Sequence, residues 1–344
     1  MLCCMHCFND KEIKQIILSA RSMGRCSYCG KKDVAIADPN ILSEQFEFLI
    51  LLLEKDDKGE KASSVLQKSF SLFDDNVKNR DKLVSDILGC KSYLSDKFVI
   101  NARTEEYDAA WNELCHELKS ENRFFLKSNA KKTIFSTELI DDNPPPFISI
   151  LDQLETLITE DQEFFRARIS DSVLSKEQMG APPAIVAASG RANPKGISYL
   201  YLASNVDTCI SEVRPYNGCE VYVSNFKPKR DQKIIDLTTP RKSVSIIPFS
   251  ESDYIEVLSI IELLESFAKA LSIPVKPHLS ELDYLPTQFL CEYIKSLGSY
   301  DGIVFNSSFG EGSNYVFFDT MDFNIEDPDI YQLTSTNFSF SIKS

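Results

Sequence analysis

The chain has 344 residues, a formal net charge of −14 and 43 % hydrophobic residues. This is a soluble, globular composition with room for about two domains. The acidic balance weighs against a nucleic-acid partner, because such affinity comes largely from Lys and Arg neutralising phosphates. A small anion held in one positive pocket remains compatible, and basic patches such as FKPKR at 226–230 are short.

No run approaches the roughly 18 consecutive apolar residues of a membrane span, so no membrane partner is expected. FEFLILLLEK at 46–55 reads as a buried helix. The start MLCCMHCFNDKE has no basic region, apolar core or cleavage site of a secretory signal. With ten cysteines, the chain then reads as cytoplasmic, with reduced thiols or bound metal rather than disulfides. Cys90, Cys115, Cys209, Cys219 and Cys291 are scattered and read as small core residues.

Residues 1–38 form a cysteine-rich piece. Cys4-x-x-Cys7 and Cys26-x-x-Cys29, followed by Gly30, are two knuckles separated by 18 residues. That spacing suits a closed, four-thiolate Zn2+ site with a structural role, able to fold a segment too small for its own core. Cys3 and His6 are alternative ligands beside the first knuckle.

Residues 39–143 read as a helical domain. LSEQFEFLILLLEKDD suggests a helix capped by Ser43, NVKNRDKLVSDILG a helix ending at Gly89, and TEEYDAAWNELCHELKSENRFF a helix with Trp111, Leu114 and Leu118 on one face. DDNPPPF at 141–147 breaks the pattern, since consecutive prolines do not continue a helix, and marks a boundary. Residues 144–344 then read as a mixed α+β domain. ISILDQLETLI is expected as a helix; FFRARI, SYLYLA, EVYVSNF, KIIDL, DGIVFNSS and NYVFFDT as strands; 254–271 and 284–298 as helices.

Polar residues punctuate those strands. Arg166 and Arg168 alternate with apolar neighbours, and a guanidinium aimed at a pocket suits a phosphate. The loop GRANPKG carries Arg191 and Asn193 between glycines that permit close backbone approach. Tyr199 and Tyr201 share one strand face, Glu212 sits in a short helical segment, and Ser307 and Ser308 follow a strand, with Asn314 just beyond. Arginine, glycine loop, aromatic, carboxylate and serine are the parts needed to hold a dinucleotide and cleave its glycosidic bond. The competing reading for any one of them is a surface ion pair. No G-x-S-x-G or G-x-G-x-x-G occurs, and no His accompanies Ser307, which argues against a Ser-His-Asp hydrolase and a Rossmann site.

The ordered set FFRAR, GRANPKGISYLYLA, TCISEVRP and YDGIVFNSSFGEGSNYVFF resembles the RES domain, over roughly residues 150–325. The N-terminal part resembles the HEPN/RES N-terminal domain. The resemblance implies a fold similar to ADP-ribosyltransferases and an activity that degrades NAD+ by phosphorolysis or hydrolysis, with inorganic phosphate as co-substrate in the first case. It implies a toxin restrained by a partner antitoxin or regulatory protein; a homo-oligomer is compatible. The family Arg, Glu and Ser fall on Arg166, Glu212 and Ser307, with Arg168 and Ser308 as alternatives. Arg168, Arg191, Asn193, Tyr201, Ser308 and Asn314 fall among the NAD+ contacts. Residues 1–143 depart from the compact toxin pattern and suggest a regulated version. His6, His116 and His278 lack an Arg at R-x-x-x-x-H spacing, so the helical part is expected to be non-catalytic. The alternatives are ADP-ribosyl transfer to a macromolecule, and a non-catalytic module that binds NAD or ADP-ribose.

Overall fold

The structure, a computed structural model, describes residues 1–100, 108–127, 144–250, 253–273 and 280–335. His278 and residues 141–143 of the proline break lie outside the described residues. The chain divides into two compact units. One comprises Met1–Leu114, Leu126–Leu154 and Thr239–Glu265, the other Cys115–Phe125, Glu155–Thr238 and Ser266–Ser344.

In the first unit, β1 (Cys3–Cys4), β2 (Ser22–Gly24) and β3 (Val34–Ala37) form an antiparallel sheet in the order β1-β3-β2. Helix α1 (Lys11–Ser19) is capped by Asp10, whose carboxylate accepts from the N–H groups of Glu12 and Ile13. Helix α2 covers Ser43–Leu51 only. Ser43 is not its cap; Leu42 stands there, and Asp38 caps the preceding 3-10 turn through the Asn40 N–H. The rest of the expected helix is strand β4 (Leu53–Glu60), paired with β5 (Phe98–Ile100) through an irregular register. An apolar run this short fits either state, and the partner strand decides it. Helices α3 (Ala62–Phe70) and α4 (Arg80–Leu88) follow; Asn79 caps α4 and Gly89, at φ +63°, ends it. The rings of Phe8, Phe46 and Phe73 pack with centroids 5.9–6.4 Å apart. Helix α5 (Asp108–Ser120) carries buried Leu114 in this unit and, beyond Cys115, buried Leu118 in the other; α6 (Pro146–Gln153) begins on Pro146, whose missing N–H would have no partner there anyway.

The second unit is built on a nine-stranded mixed sheet. Its strands are β6 (Glu155–Ile158), β7 (Phe164–Ile169), β8 (Leu200–Ala203), β9 (Glu220–Pro228), β10 (Gln232–Asp236), β11 (Gly302–Asn306), β12 (Ser313–Phe317), β13 (Phe323–Ile325) and β14 (Asp329–Gln332). The order is β13-β9-β7-β8-β12-β11-β10-β6, with β14 also on β9. Among the described residues, only β10 and β11 run parallel. All six expected strands form, whereas ISILDQLETLI splits into α6 and the edge strand β6. Period-two alternation gives the sheet two apolar faces. Phe164, Leu200, Leu202, Phe226, Val304 and Phe317 meet Met179 on one. On the other, Ala167, Ala203, Val221 and Val223 meet Cys209 of α7 (Val206–Glu212), which Asn205 caps through the Thr208 N–H. Helix α8 (Tyr254–Ser272), which belongs to the first unit up to Glu265 and to the second from Ser266, and α9 (Leu285–Ser296) match the expected ones to within two residues.

Candidate active site

Strand β7 pairs with β9 over its full length but with β8 at one position, Phe165 opposite Ala203. The sheet therefore opens between β7 and β8. A cavity of about 350 Å3 is lined there by Phe165, Arg166, Gly190, Arg191, Tyr201, Glu212, Tyr284 and Asn314, among others.

Glu212 is the last residue of α7. Its Oε1 accepts from Ser307 Oγ at 2.7 Å and from Asn314 Nδ2 at 2.6 Å. Ser307 Oγ in turn accepts from the Phe309 N–H at 3.1 Å, which directs the hydroxyl proton to the carboxylate. Ser308 is exposed and has no side-chain hydrogen bond among the described residues. Sequence order alone does not separate these two serines; only Ser307 reaches Glu212.

Arg166 and Arg168 also part company. Arg168 Nη2 donates to the Gly180 carbonyl at 2.8 Å, and Arg168 is not among the lining residues. Arg166 lines the cavity, and its Nη1 is sealed from solvent without a hydrogen-bond partner. Burial, and secondarily the charge of Arg168, push the Arg166 guanidinium down to about 9. A buried cation with an idle donor is a poor arrangement unless an anion completes it.

The loop before β8 is braced from within. The Tyr201 hydroxyl donates to Asn193 Oδ1 at 2.7 Å and accepts from the Ala192 N–H at 3.1 Å. Asn193 Nδ2 lies 2.8–3.1 Å from the carbonyls of Ala188, Pro194 and Ile197. Asn193, expected among the ligand contacts, is therefore turned inward as scaffold and does not line the cavity. Arg191 lines it, but its Nη1 donates to the carbonyls of Leu271 and Ser272 at the end of α8, at 2.6 and 2.8 Å. Gly190 is held by space: a Cβ there would sit 2.7 Å from the Tyr201 hydroxyl and closer still to Asn193 Oδ1. Tyr199 does not join the site; it is buried against Phe318, with Lys295 over its ring.

Sequence reasoning missed the α9 contribution. Thr287 Oγ1 donates to the Arg191 carbonyl, and Gln288 Nε2 lies 2.8–3.0 Å from Ser189 Oγ, the Gly190 carbonyl and the Asn193 carbonyl, which share its two N–H groups. The available signal was two polar residues on the helix stripe that also carries Cys291 and Ile294, all of them buried.

In the first unit the Sγ atoms of Cys4, Cys7, Cys26 and Cys29 lie within 4.8 Å of one another. Separations are 3.5 Å for Cys4–Cys29, 3.4 Å for Cys7–Cys26 and 3.9 Å for Cys4–Cys7. Zinc–sulfur bonds of 2.3 Å in a tetrahedron separate sulfurs by about 3.8 Å, so the donor set fits Zn2+. The N–H groups of Tyr28 and Cys29 point at Cys26 Sγ, and Gly30 turns away at φ +82°. Cys3 and His6 stand outside the group; the Cys3 thiol donates to the Ala37 carbonyl.

The RES domain family model matches residues 163–339. The chain belongs to the RES domain family. The match spans the sheet opening, the braced loop, α7 and the Ser307 turn of this RES protein. No curated protein matches the chain. Among solved structures, similarity is found to the M. tuberculosis MbcT–MbcA toxin–antitoxin complex. It has 14 % identity and a TM-score of 0.30, covering 55 % of this chain and 92 % of that chain. Among the described residues, no helix is long and apolar enough to cross a membrane.

Proposed function

We propose that this RES protein cleaves the nicotinamide–ribose bond of NAD+, acting as an NAD-depleting toxin or defence effector. One observation carries the reading. A guanidinium with one nitrogen sealed and unpartnered, Arg166, and a carboxylate held on one oxygen, Glu212, line a single cavity. Arg166 would take the pyrophosphate, with Arg191 beside it through its remaining N–H groups. The Tyr201 ring would pack against the nicotinamide or its ribose. Glu212 would stabilise the positive charge that develops on the ribose as the base leaves, or orient the incoming acceptor. Phosphate and water are both suitable acceptors.

The four-cysteine group would hold Zn2+ in a structural role, folding the N-terminal piece. We further read residues 144–344 as similar to ADP-ribosyltransferases and the N-terminal part as of HEPN/RES type. An antitoxin or regulatory protein would restrain the enzyme in the cytoplasm.

The test is NAD+ loss by the purified full chain, with and without inorganic phosphate, beside Glu212→Gln. Loss that requires Glu212 supports the reading, and phosphate dependence distinguishes phosphorolysis from hydrolysis. A labelled macromolecule in place of free product would favour ADP-ribosyl transfer. Turnover undiminished in Glu212→Gln would sink the assignment of the carboxylate.

A further inference from the structure

Asn314 sits mid-sheet on β12, opposite Phe305 of β11 and Ala203 of β8, and is 8 % exposed. Its amide and the Ser307 hydroxyl converge on the same carboxylate oxygen, Glu212 Oε1. A carboxylate can only accept, so both contacts run from donor to Oε1. Glu212 Oε2 has no hydrogen-bond partner among the described residues, and Glu212 lines the cavity. Two donors on one oxygen fix the rotation of the carboxylate plane, which a single donor would not do. The Phe309 N–H locks the serine end of this chain of donors, and the β12 backbone, paired on both sides, locks the amide end.

We propose that Asn314 is a positioning residue, which with Ser307 anchors Glu212 through Oε1 and presents Oε2 to the substrate. This goes beyond a general role among NAD+ contacts: Asn314 acts through Glu212 and not on the ligand. It rests on the NAD+-cleaving reading for its kinetic arm but not for its structural one.

The experiment compares Asn314→Ala and Asn314→Asp in the full chain. Asparagine and aspartate have the same shape, but aspartate replaces the donor with a second negative charge facing Oε1. A misplaced reacting group loses on the order of 100-fold in rate. The expected result is therefore a kcat about 100-fold lower in Asn314→Ala, lower again in Asn314→Asp, and a KM for NAD+ within about threefold of wild type. Ser307→Thr, which keeps the hydroxyl, should retain more activity than Ser307→Ala. A risen KM with kcat preserved would mean that Asn314 touches the substrate, and would overturn the proposal. So would an Asn314→Asp milder than Asn314→Ala, the order a packing role gives. Crystal structures of both variants form the second arm, which needs no turnover. The Glu212 carboxylate should leave its wild-type rotamer; an unmoved carboxylate refutes the positioning role. If wild type leaves NAD+ intact, the NAD+ reading fails, and the crystallographic arm still decides this one.

Discussion

Replacing Arg166 by methionine should raise the stability of the ligand-free protein while abolishing NAD+ consumption. The guanidinium is sealed on its Nη1 side, has no acceptor there, and stands beside a second cation, Arg168. A fall from the usual arginine value to about 9 corresponds to about 5 kcal/mol against the charged form. The sign follows from a folded-state value below the unfolded one. The penalty is carried in full below about pH 9 and fades only as pH rises above it. Since water reaches the cavity, about 1–3 kcal/mol should be recovered on removing the charge, in line with buried ionic groups replaced by apolar ones. For a chain of this size that is a rise of about 2–6 °C in the thermal transition. Differential scanning fluorimetry at pH 7 measures it. Inorganic pyrophosphate provides the counter-test: an anion that binds only the folded state should raise the wild-type transition and leave Arg166→Met unmoved. A variant that melts lower than wild type, or responds equally to pyrophosphate, would show that Arg166 already has its partner and is not the anion site.

Gly190→Ala should lower stability by about 1–3 kcal/mol and remove NAD+ turnover, because the new Cβ meets the Tyr201 hydroxyl and Asn193 Oδ1. Thermal denaturation and the NAD+ assay check it together; unchanged values would mean that the loop moves freely. The protein as purified should contain one zinc per chain by elemental analysis, and Cys26→Ser should lose it and unfold more readily. Metal-free wild type of equal stability would assign the four thiols to the core instead.

The strands of the second unit were legible because each is a short apolar run bounded by turn residues, and all six occur where expected. The four-cysteine group was legible for a similar reason, since a C-x-x-C knuckle is a local geometry that the spacing already states. The helix ends around Leu51 and Gln153 were not. Leu53 and the ETLI segment at 155–158 owe their state to partner strands far along the chain, and no local propensity names a partner.

The site divides along the same line. Residue type pointed to Arg166, Glu212 and Ser307, and these are brought to one cavity or into hydrogen bonds with its lining. The same signal pointed to Arg191 and Asn193, yet the structure occupies Asn193 within the loop and half of Arg191 at the end of α8. A guanidinium or amide has the same chemistry whether it meets a ligand or a backbone carbonyl, and only position decides. The loop needs that bracing. It must hold Gly190 against Tyr201 without a Cβ between them, so its stiffness has to come from side chains and from Thr287 and Gln288 on α9. Binding then starts from a preformed wall, and less ordering entropy opposes the ligand. Of the two arginines that line the cavity, Arg166 is left with a buried donor unpaired. In a chain of net charge −14, it gives an anion a reason to enter this cavity.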